Sequence, residues 1–136
     1  MNVMYDEGAF ELTRAYPTDA GLDIRAMHDG IVRAHQSATF DTGVHISLPH
    51  NTMGDIRPRS GMMFNHDILT FGTVDENFNG GIRVHLMNLS DTDYNVKRGD
   101  RIAQLVVTQI VYVMLDKVSE LDETDRGENG FGSTGR

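Results

Sequence analysis

Short runs of alternating apolar and polar residues recur along this chain, separated by Gly, Pro, Asn and Asp, while a helical period is hard to find. A period of two puts successive side chains on opposite faces of a strand, so the pattern predicts strands. Candidates are Leu22 to Ala26, Ile31 to Ala34, Ala38 to Phe40, and a run in which Val44, Ile46 and Leu48 share a face before Pro49 stops it. Thr52 to Arg57 and Leu69 to Val74 continue the rhythm. In Ile82 to Asn88, Ile82, Val84 and Leu86 face one way and Arg83, His85 and Met87 the other. Ser60 to Asn65 is the one segment predicted to hold a helical turn, and Leu89 to Tyr94 reads as a polar turn. The expected fold class is all-β, a sandwich or barrel with at most one short helix.

Three stretches stand out from this rhythm. Ile102 to Leu115 is the most apolar segment, and from Leu105 onward both strand faces carry large side chains. A strand of that kind is buried on two sides, which in a small chain points to a subunit interface at least as strongly as to an internal core, so a homo-oligomer is expected. Gly72 to Gly81 has strand-like flanks, glycines at both ends and a turn-prone centre holding Asp75 and Phe78. It reads as a hairpin tip that offers a carboxylate and an aromatic ring together. The last residues, Arg126 to Arg136, carry four glycines and one large apolar side chain, Phe131. Such a tail has too little apolar surface to offset its ordering entropy alone, so it is expected to be mobile until something binds. The expected organisation is one domain over 1–125 and a flexible arm over 126–136.

Composition narrows the function. A chain of 136 residues fits one domain. A net charge of -8 opposes broad binding to a nucleic-acid backbone, so any phosphate site must be local. With no cysteine, disulfides, thiol nucleophiles and thiolate zinc sites are excluded. No apolar run approaches the roughly 20 residues that span a bilayer, and the acidic start from Met1 to Glu7 lacks the features of a signal peptide, so a soluble cytoplasmic protein is expected.

Arg57-Pro58-Arg59-Ser60-Gly61 joins two guanidiniums, a hydroxyl and a glycine amide near a helix start, a set that suits phosphate oxygens. Read alone, such a segment is more often a solvated turn. The tail repeats the composition with Arg126, Ser133, Thr134 and glycine amides around Phe131. Neither contains the Gly-Lys-Ser/Thr of a Walker A loop. Asp75 alone is weak evidence, since turn aspartates usually cap or solvate. The six histidines lack zinc-binding spacing. Gln104, within an apolar strand, needs a partner for its amide, either backbone or ligand.

Taken in order, Ala20-Gly21-Leu22-Asp23-Ile24, Arg57 to Gly61, Gly72-Thr73-Val74-Asp75 through Phe78 and Gly80, Arg98 to Leu105, and Arg126-Gly127 through Gly130-Phe131-Gly132-Ser133-Thr134-Gly135 resemble the five ordered motifs of the homotrimeric dUTPase family, phage or prophage type included. The likeness runs from about Asp19 to the end of the chain. It implies a jelly-roll-like, β-clip subunit, three active sites per homotrimer, Mg2+ dependence, and hydrolysis of dUTP to dUMP and pyrophosphate. That reaction limits uracil incorporation into DNA and supplies dUMP for dTMP synthesis.

Carried over by motif, the resemblance gives Asp75 the water that attacks the α-phosphorus. Gly72, Val74, Phe78 and Gly81 would receive base and sugar, with Phe131 stacking on uracil from a neighbour's tail. Arg59, Ser60, Gly61, Gln104, Arg126, Gly132, Ser133 and Thr134 would hold the phosphates. Asp23 would be an outer-shell acceptor for Mg2+ through water.

The chain departs from the family pattern at Phe78, where tyrosine is usual, at Met62-Met63 in place of Leu-Ala, and at Gly81, where an acidic residue is common. Two alternatives stand beside this reading. A dCTP deaminase shares the fold but needs a glutamate where this chain has His85. A non-enzymatic trimer that engages a protein partner in its nucleotide-bound state would have no use for Asp75 and the complete tail.

Overall fold

In the computed structural model, which describes residues 1–130, eleven strands and one helix follow in the order β1 (Asn2–Tyr5), β2 (Leu22–Arg25), β3 (Gly30–Val32), β4 (Ser37–Asp41), β5 (Val44–Ser47), β6 (Thr52–Arg57), α1 (Ser60–His66), β7 (Ile68–Leu69), β8 (Gly72–Val74), β9 (Arg83–Asn88), β10 (Tyr94–Val96) and β11 (Arg101–Gln109). All pairings are antiparallel. They form a four-stranded sheet β2-β11-β6-β8, a three-stranded sheet β4-β9-β7, and the pairs β1-β5 and β10-β3. The all-β, jelly-roll-like expectation holds, with a single short helix.

The period of two explains the core. In β9, Val84 and Leu86 are fully buried while Arg83 and His85 face out, and Ile82 just before it is also buried. Phe40 of β4, Ile24 of β2, Ile56 of β6 and Leu105 of β11 join them in one cluster. The strand ends on a buried amide, Asn88, whose Nδ2 donates to the carbonyls of Val32 (2.9 Å) and Thr92 (2.7 Å). Its Oδ1 accepts from the N–H and hydroxyl of Ser90, so the side chain is satisfied and fixes the turn that follows.

Register across the four-stranded sheet is the feature that matters for function. Leu22 pairs with Leu105, Leu105 with Ile56, and Ile56 with Gly72. One step along, Asp23 pairs with Gln104 and Gln104 with Arg57. Four segments far apart in sequence therefore meet on one row of the sheet.

The helix ends on Asp67 in the left-handed region (φ 53), whose N–H reaches the carbonyls of Met62 and Met63, and buried Met62 anchors it to the core. Its span exceeds the predicted turn by one residue.

Three elements depart from the sequence pattern. β1 carries no buried residue to produce an alternating signal, and it forms only by pairing with β5. Tyr94 to Val96 is a strand against β3 rather than the end of a turn. The apolar run continues to Leu115, but β11 stops at Gln109 because its partner β6 begins at Thr52, opposite Gln109. Past that point Val111, Met114 and Leu115 are 83%, 97% and 92% exposed, so within one chain the two-sided burial expected there is not realised. No helix among the described residues is long and apolar enough to cross a membrane.

Leu86 lies at the centre of the core with no exposed surface. Leu86→Ala is expected to destabilise the fold by roughly 2–5 kcal/mol, because the removed methyls leave a cavity that strands on both sides cannot close. A urea unfolding midpoint that does not move would place the core elsewhere.

Candidate active site

Two cavities lie along the four-stranded sheet. The first, of about 260 Å³, is lined by Ala15, Asp19, Ala20, Gly21, Asp23, Arg59, Ser60, Arg101 and Gln104. Asp23, on β2, is its organiser: Oδ1 accepts from Arg59 Nε (3.0 Å) and Oδ2 from Arg101 Nη1 (3.1 Å), and its side chain is only 14% exposed. Both guanidiniums are thereby held at the cavity wall. The amide of Gln104 donates to the Pro58 carbonyl at 2.9 Å, which answers the need for a partner and ties β11 to the loop before α1. The Gln104 side chain fits only because Gly21 faces it, since a Cβ there would lie within 2.2 Å of Oε1. Gly61 has open space where a Cβ would be, and the first N–H groups of a helix have no intrahelical acceptor.

The second cavity, of about 280 Å³, is lined by Ile56, Gly72, Thr73, Val74, Asp75, Phe78, Gly81, Ile82 and Arg83. Here the hairpin tip is a tight turn in which the Phe78 N–H donates to the Asp75 carbonyl at 3.0 Å. Asp75 and Phe78 are thus the first and fourth residues of one turn, which places the carboxylate and the ring side by side at the cavity. The Phe78 ring folds over Gly80, where a Cβ would come within 2.7 Å of it.

The two ends of the tip are anchored from β5, the turn after it and the strap beyond β11. On the entry side, the Glu76 carboxylate accepts from Tyr112 Oη (2.7 Å), from the Asn51 N–H (2.9 Å) and from His50 Nδ1 (2.8 Å). Those donors, Tyr112 first and His50 second, pull the Glu76 carboxyl down to about 2, and the same carboxylate pushes the Tyr112 hydroxyl up. On the exit side, His45 Nδ1 donates to the Asn79 carbonyl at 3.0 Å. His45 Nε2 lies 3.2 Å from Asp6 Oδ1 but off the line of a hydrogen bond. The Asn79 carbonyl first and the Asp6 carboxylate second raise the imidazole above its ordinary range. Gly81 faces this ring, with 3.6 Å between a hypothetical Cβ and the imidazole.

The structure therefore gathers Asp23, Arg59, Ser60 and Gln104 in one cavity and Gly72, Val74, Asp75, Phe78 and Gly81 in the other. The two share no lining residue. Gly61 borders neither, and Arg126 is exposed with Nε donating to the Asn129 carbonyl at 2.7 Å. Phe131, Gly132, Ser133 and Thr134 lie outside the described residues. The sequence offers Asp19 and Asp23 as a carboxylate pair that could hold a metal or make a turn, and the structure puts both on the polar cavity. Sequence reasoning gave no role to Arg101, which stands within a quoted motif, and it missed Glu76, His50 and Tyr112, which are far apart in sequence with nothing local to signal that they meet.

Metal-binding capacity is limited. Among the described residues no group of three or more His, Cys, Asp or Glu could hold an ion, so no resident cage exists there. The polar cavity instead places Asp19 and Asp23 beside cationic groups, carboxylate oxygens that suit a hard divalent cation only where other oxygens complete its shell.

The dUTPase family model matches residues 9–135. The deoxyuridine 5'-triphosphate nucleotidohydrolase of Clostridium kluyveri is 41% identical over 124 residues, covering 89% of this chain and 87% of that protein. The Arabidopsis thaliana protein of the same name is 44% identical over 124 residues, covering 90% and 75%. Among solved structures, a variant of the Staphylococcus bacteriophage 80alpha dUTPase with dUpNHpp superposes with a TM-score of 0.92 at 25% identity, covering 99% of this chain and 98% of that one. A second variant of that phage enzyme, also with dUpNHpp, gives 0.92 at 27% identity over the same shares.

The depressed Glu76 carboxyl has a testable consequence for stability. Its folded value of about 2 lies below the ordinary glutamate value of 4.5, so its contribution is present above pH 4.5 and is lost as pH falls toward 2. The melting-temperature advantage of the wild type over Glu76→Gln should be constant near neutrality and shrink steadily below pH 4.5. An advantage that stays unchanged down to pH 3 would show that the carboxylate charge is not what these donors hold.

Proposed function

The chain belongs to the dUTPase family, and from that premise we propose that it hydrolyses dUTP to dUMP and pyrophosphate by attack of a water held by Asp75 on the α-phosphorus. The observation that carries the mechanism is the tight turn of the hairpin, which sets Asp75 and Phe78 together at a cavity floored by Gly72, Val74 and Ile56. Base and sugar would enter there, with the backbone of β8 and of Gly81 available to the uracil edge and the Phe78 ring against the deoxyribose. Asp75 is exposed on the turn, and it would orient the water and take its proton while the pyrophosphate leaves in line.

The triphosphate would lie on Arg59, Ser60, Gly61 and Gln104. The polar cavity is lined by two aspartates and two arginines, so their formal charges cancel. A triphosphate would need further positive charge, and two sources fit that need. Mg2+, when bound, would neutralise phosphate oxygens and polarise the phosphoryl group, with Asp23 touching its shell through water. The tail would add Arg126 together with Gly132, Ser133 and Thr134 on the γ-phosphate and Phe131 on the base, closing residues 126–136 over a domain formed by residues 1–125.

The two cavities share no lining residue on one chain, and an exposed apolar strap follows β11. Both features support a homotrimer in which a site is assembled from different subunits. The family supports a soluble, cytoplasmic enzyme acting on the nucleotide pool, with dUMP as a product for dTMP synthesis. His85 hydrogen-bonds Thr39 at 2.8 Å on the outer face of β9, away from both cavities, which leaves a deaminase without its proton shuttle.

Pyrophosphate release in Mg2+ should be strong with dUTP and weak with dCTP, dTTP and UTP, and Asp75→Asn should cut it by roughly 10²- to 10⁴-fold. Comparable turnover of dCTP, or an active Asp75→Asn, would overturn the assignment. Deleting residues 126–136 should lower turnover sharply while leaving the melting temperature and a trimeric mass by light scattering in place. A large fall in melting temperature would make the tail structural instead.

A further inference from the structure

Glu76 has no part in the chemistry described so far, yet it occupies the second position of the turn that begins at Asp75 and ends at Phe78. Its carboxylate makes three short contacts to two other segments: the Asn51 N–H and His50 Nδ1 from the turn between β5 and β6, and Tyr112 Oη from the strap beyond β11. His50 and Tyr112 also stack, with ring centroids 6.2 Å apart and an interplanar angle of 30°. The donors brace each other as well as the carboxylate. We propose that Glu76 is a positioning residue for the hydrolytic reaction, locking the first half of the turn so that the Asp75 carboxylate points at the attacking water.

The turn geometry makes this specific. With the Phe78 N–H bonded to the Asp75 carbonyl, the peptide between Asp75 and Glu76 can still swing about its two flanking dihedrals, and that swing redirects the Asp75 side chain. A charged hydrogen-bond acceptor held by three donors at the next residue removes that freedom. The second half of the turn is secured separately, by the His45 contact to the Asn79 carbonyl and by the Phe78 ring lying on Gly80. Loss of the Glu76 anchor should therefore disturb the carboxylate more than the surface that receives the sugar. Turnover and binding should come apart.

The inference rests on Asp75 as the water-activating group, and the experiment separates the two ideas. Glu76→Gln, Glu76→Ala and Tyr112→Phe are compared with Asp75→Asn and with the double variant Asp75→Asn/Glu76→Gln, by single-turnover rates on dUTP with Mg2+ and by calorimetric titration with dUpNHpp. Glu76→Ala is expected to slow the chemical step by ~10- to 10²-fold, with Glu76→Gln and Tyr112→Phe less severe in the same direction. Affinity for dUpNHpp should stay within about threefold in all three. In the double variant, Glu76→Gln should add nothing to the residual rate of Asp75→Asn, because a residue acting through Asp75 has no further effect once Asp75 is gone.

If Asp75→Asn is inactive while Glu76→Gln and Tyr112→Phe turn over like wild type, the positioning role is refuted and the base assignment stands. If Asp75→Asn is fully active, the base assignment itself fails. Losses that multiply in the double variant, or weakened dUpNHpp binding that matches the loss of rate, would make Glu76 a general structural residue. Should Glu76→Ala not fold, Glu76→Gln and Tyr112→Phe carry the same comparison.

Discussion

The register of β11 between β2 and β6 is the constraint on which the rest of the molecule depends. Side chains alternate faces with a period of two, so a slip of one residue would turn Gln104 away from the Pro58 carbonyl and drive Leu105 out of the core. Sterics enforce the same register from the other side. Gln104 needs a residue without a Cβ opposite its carboxamide, and Gly21 provides it; a shift would bring a neighbour with a side chain into that space. Core packing, an amide hydrogen bond and one glycine agree on a single alignment. That alignment also sets Asp23, Gln104 and Arg57 in one row and Ile56 beside Gly72.

Electrostatics then acts on a frame already fixed. Asp23 is largely withdrawn from water, so desolvation offsets much of the attraction to Arg59 and Arg101, and the two ion pairs are poorly understood as a source of stability. Their effect is on side-chain freedom. Two long cations that would otherwise sweep the solvent are held at the wall of the polar cavity, and the entropy of ordering them is already spent before a ligand arrives. The same carboxylate cancels part of their charge, which makes the cavity a weak trap for an arbitrary anion.

How much of this was legible in the sequence depends on how local each cause is. Alternation identified β9 and β6 because each has one buried and one open face. The turn beginning at Ser60 was legible because Pro58 and the following pattern mark a helix start. β1 was not legible, since an edge strand with no buried face leaves no periodic signal. The length of β11 was misjudged for a different reason: hydrophobicity shows that Ile110 to Leu115 seeks a partner, but the end of the ladder is set by where β6 begins. For the candidate site, the ordered motifs pointed to Asp23, Arg59, Gln104, Asp75 and Phe78, each of which lines one of the two cavities, whereas Arg101 as a second arm on Asp23 emerges only from strand pairing. Glu76, His50 and Tyr112 belong to three segments whose meeting no short-range pattern records.

The strap beyond β11 joins these threads. Val111, Val113, Met114, Leu115 and Leu121 are each more than two-thirds exposed, an apolar face that a soluble monomer rarely leaves open. In the trimer proposed above, this surface would lie against another copy, and the strap would lead toward the tail proposed to close a neighbour's site. Past the ladder, the Ile110 N–H donates to the Asn51 carbonyl at 2.9 Å, and Tyr112 Oη then donates to Glu76 on the hairpin. The direction in which the strap leaves one subunit is thus referenced to the residue beside Asp75. If Glu76 orients Asp75 as proposed, the same carboxylate also holds the strap at Tyr112, so a loosened turn would be felt both at its own cavity and along the strap.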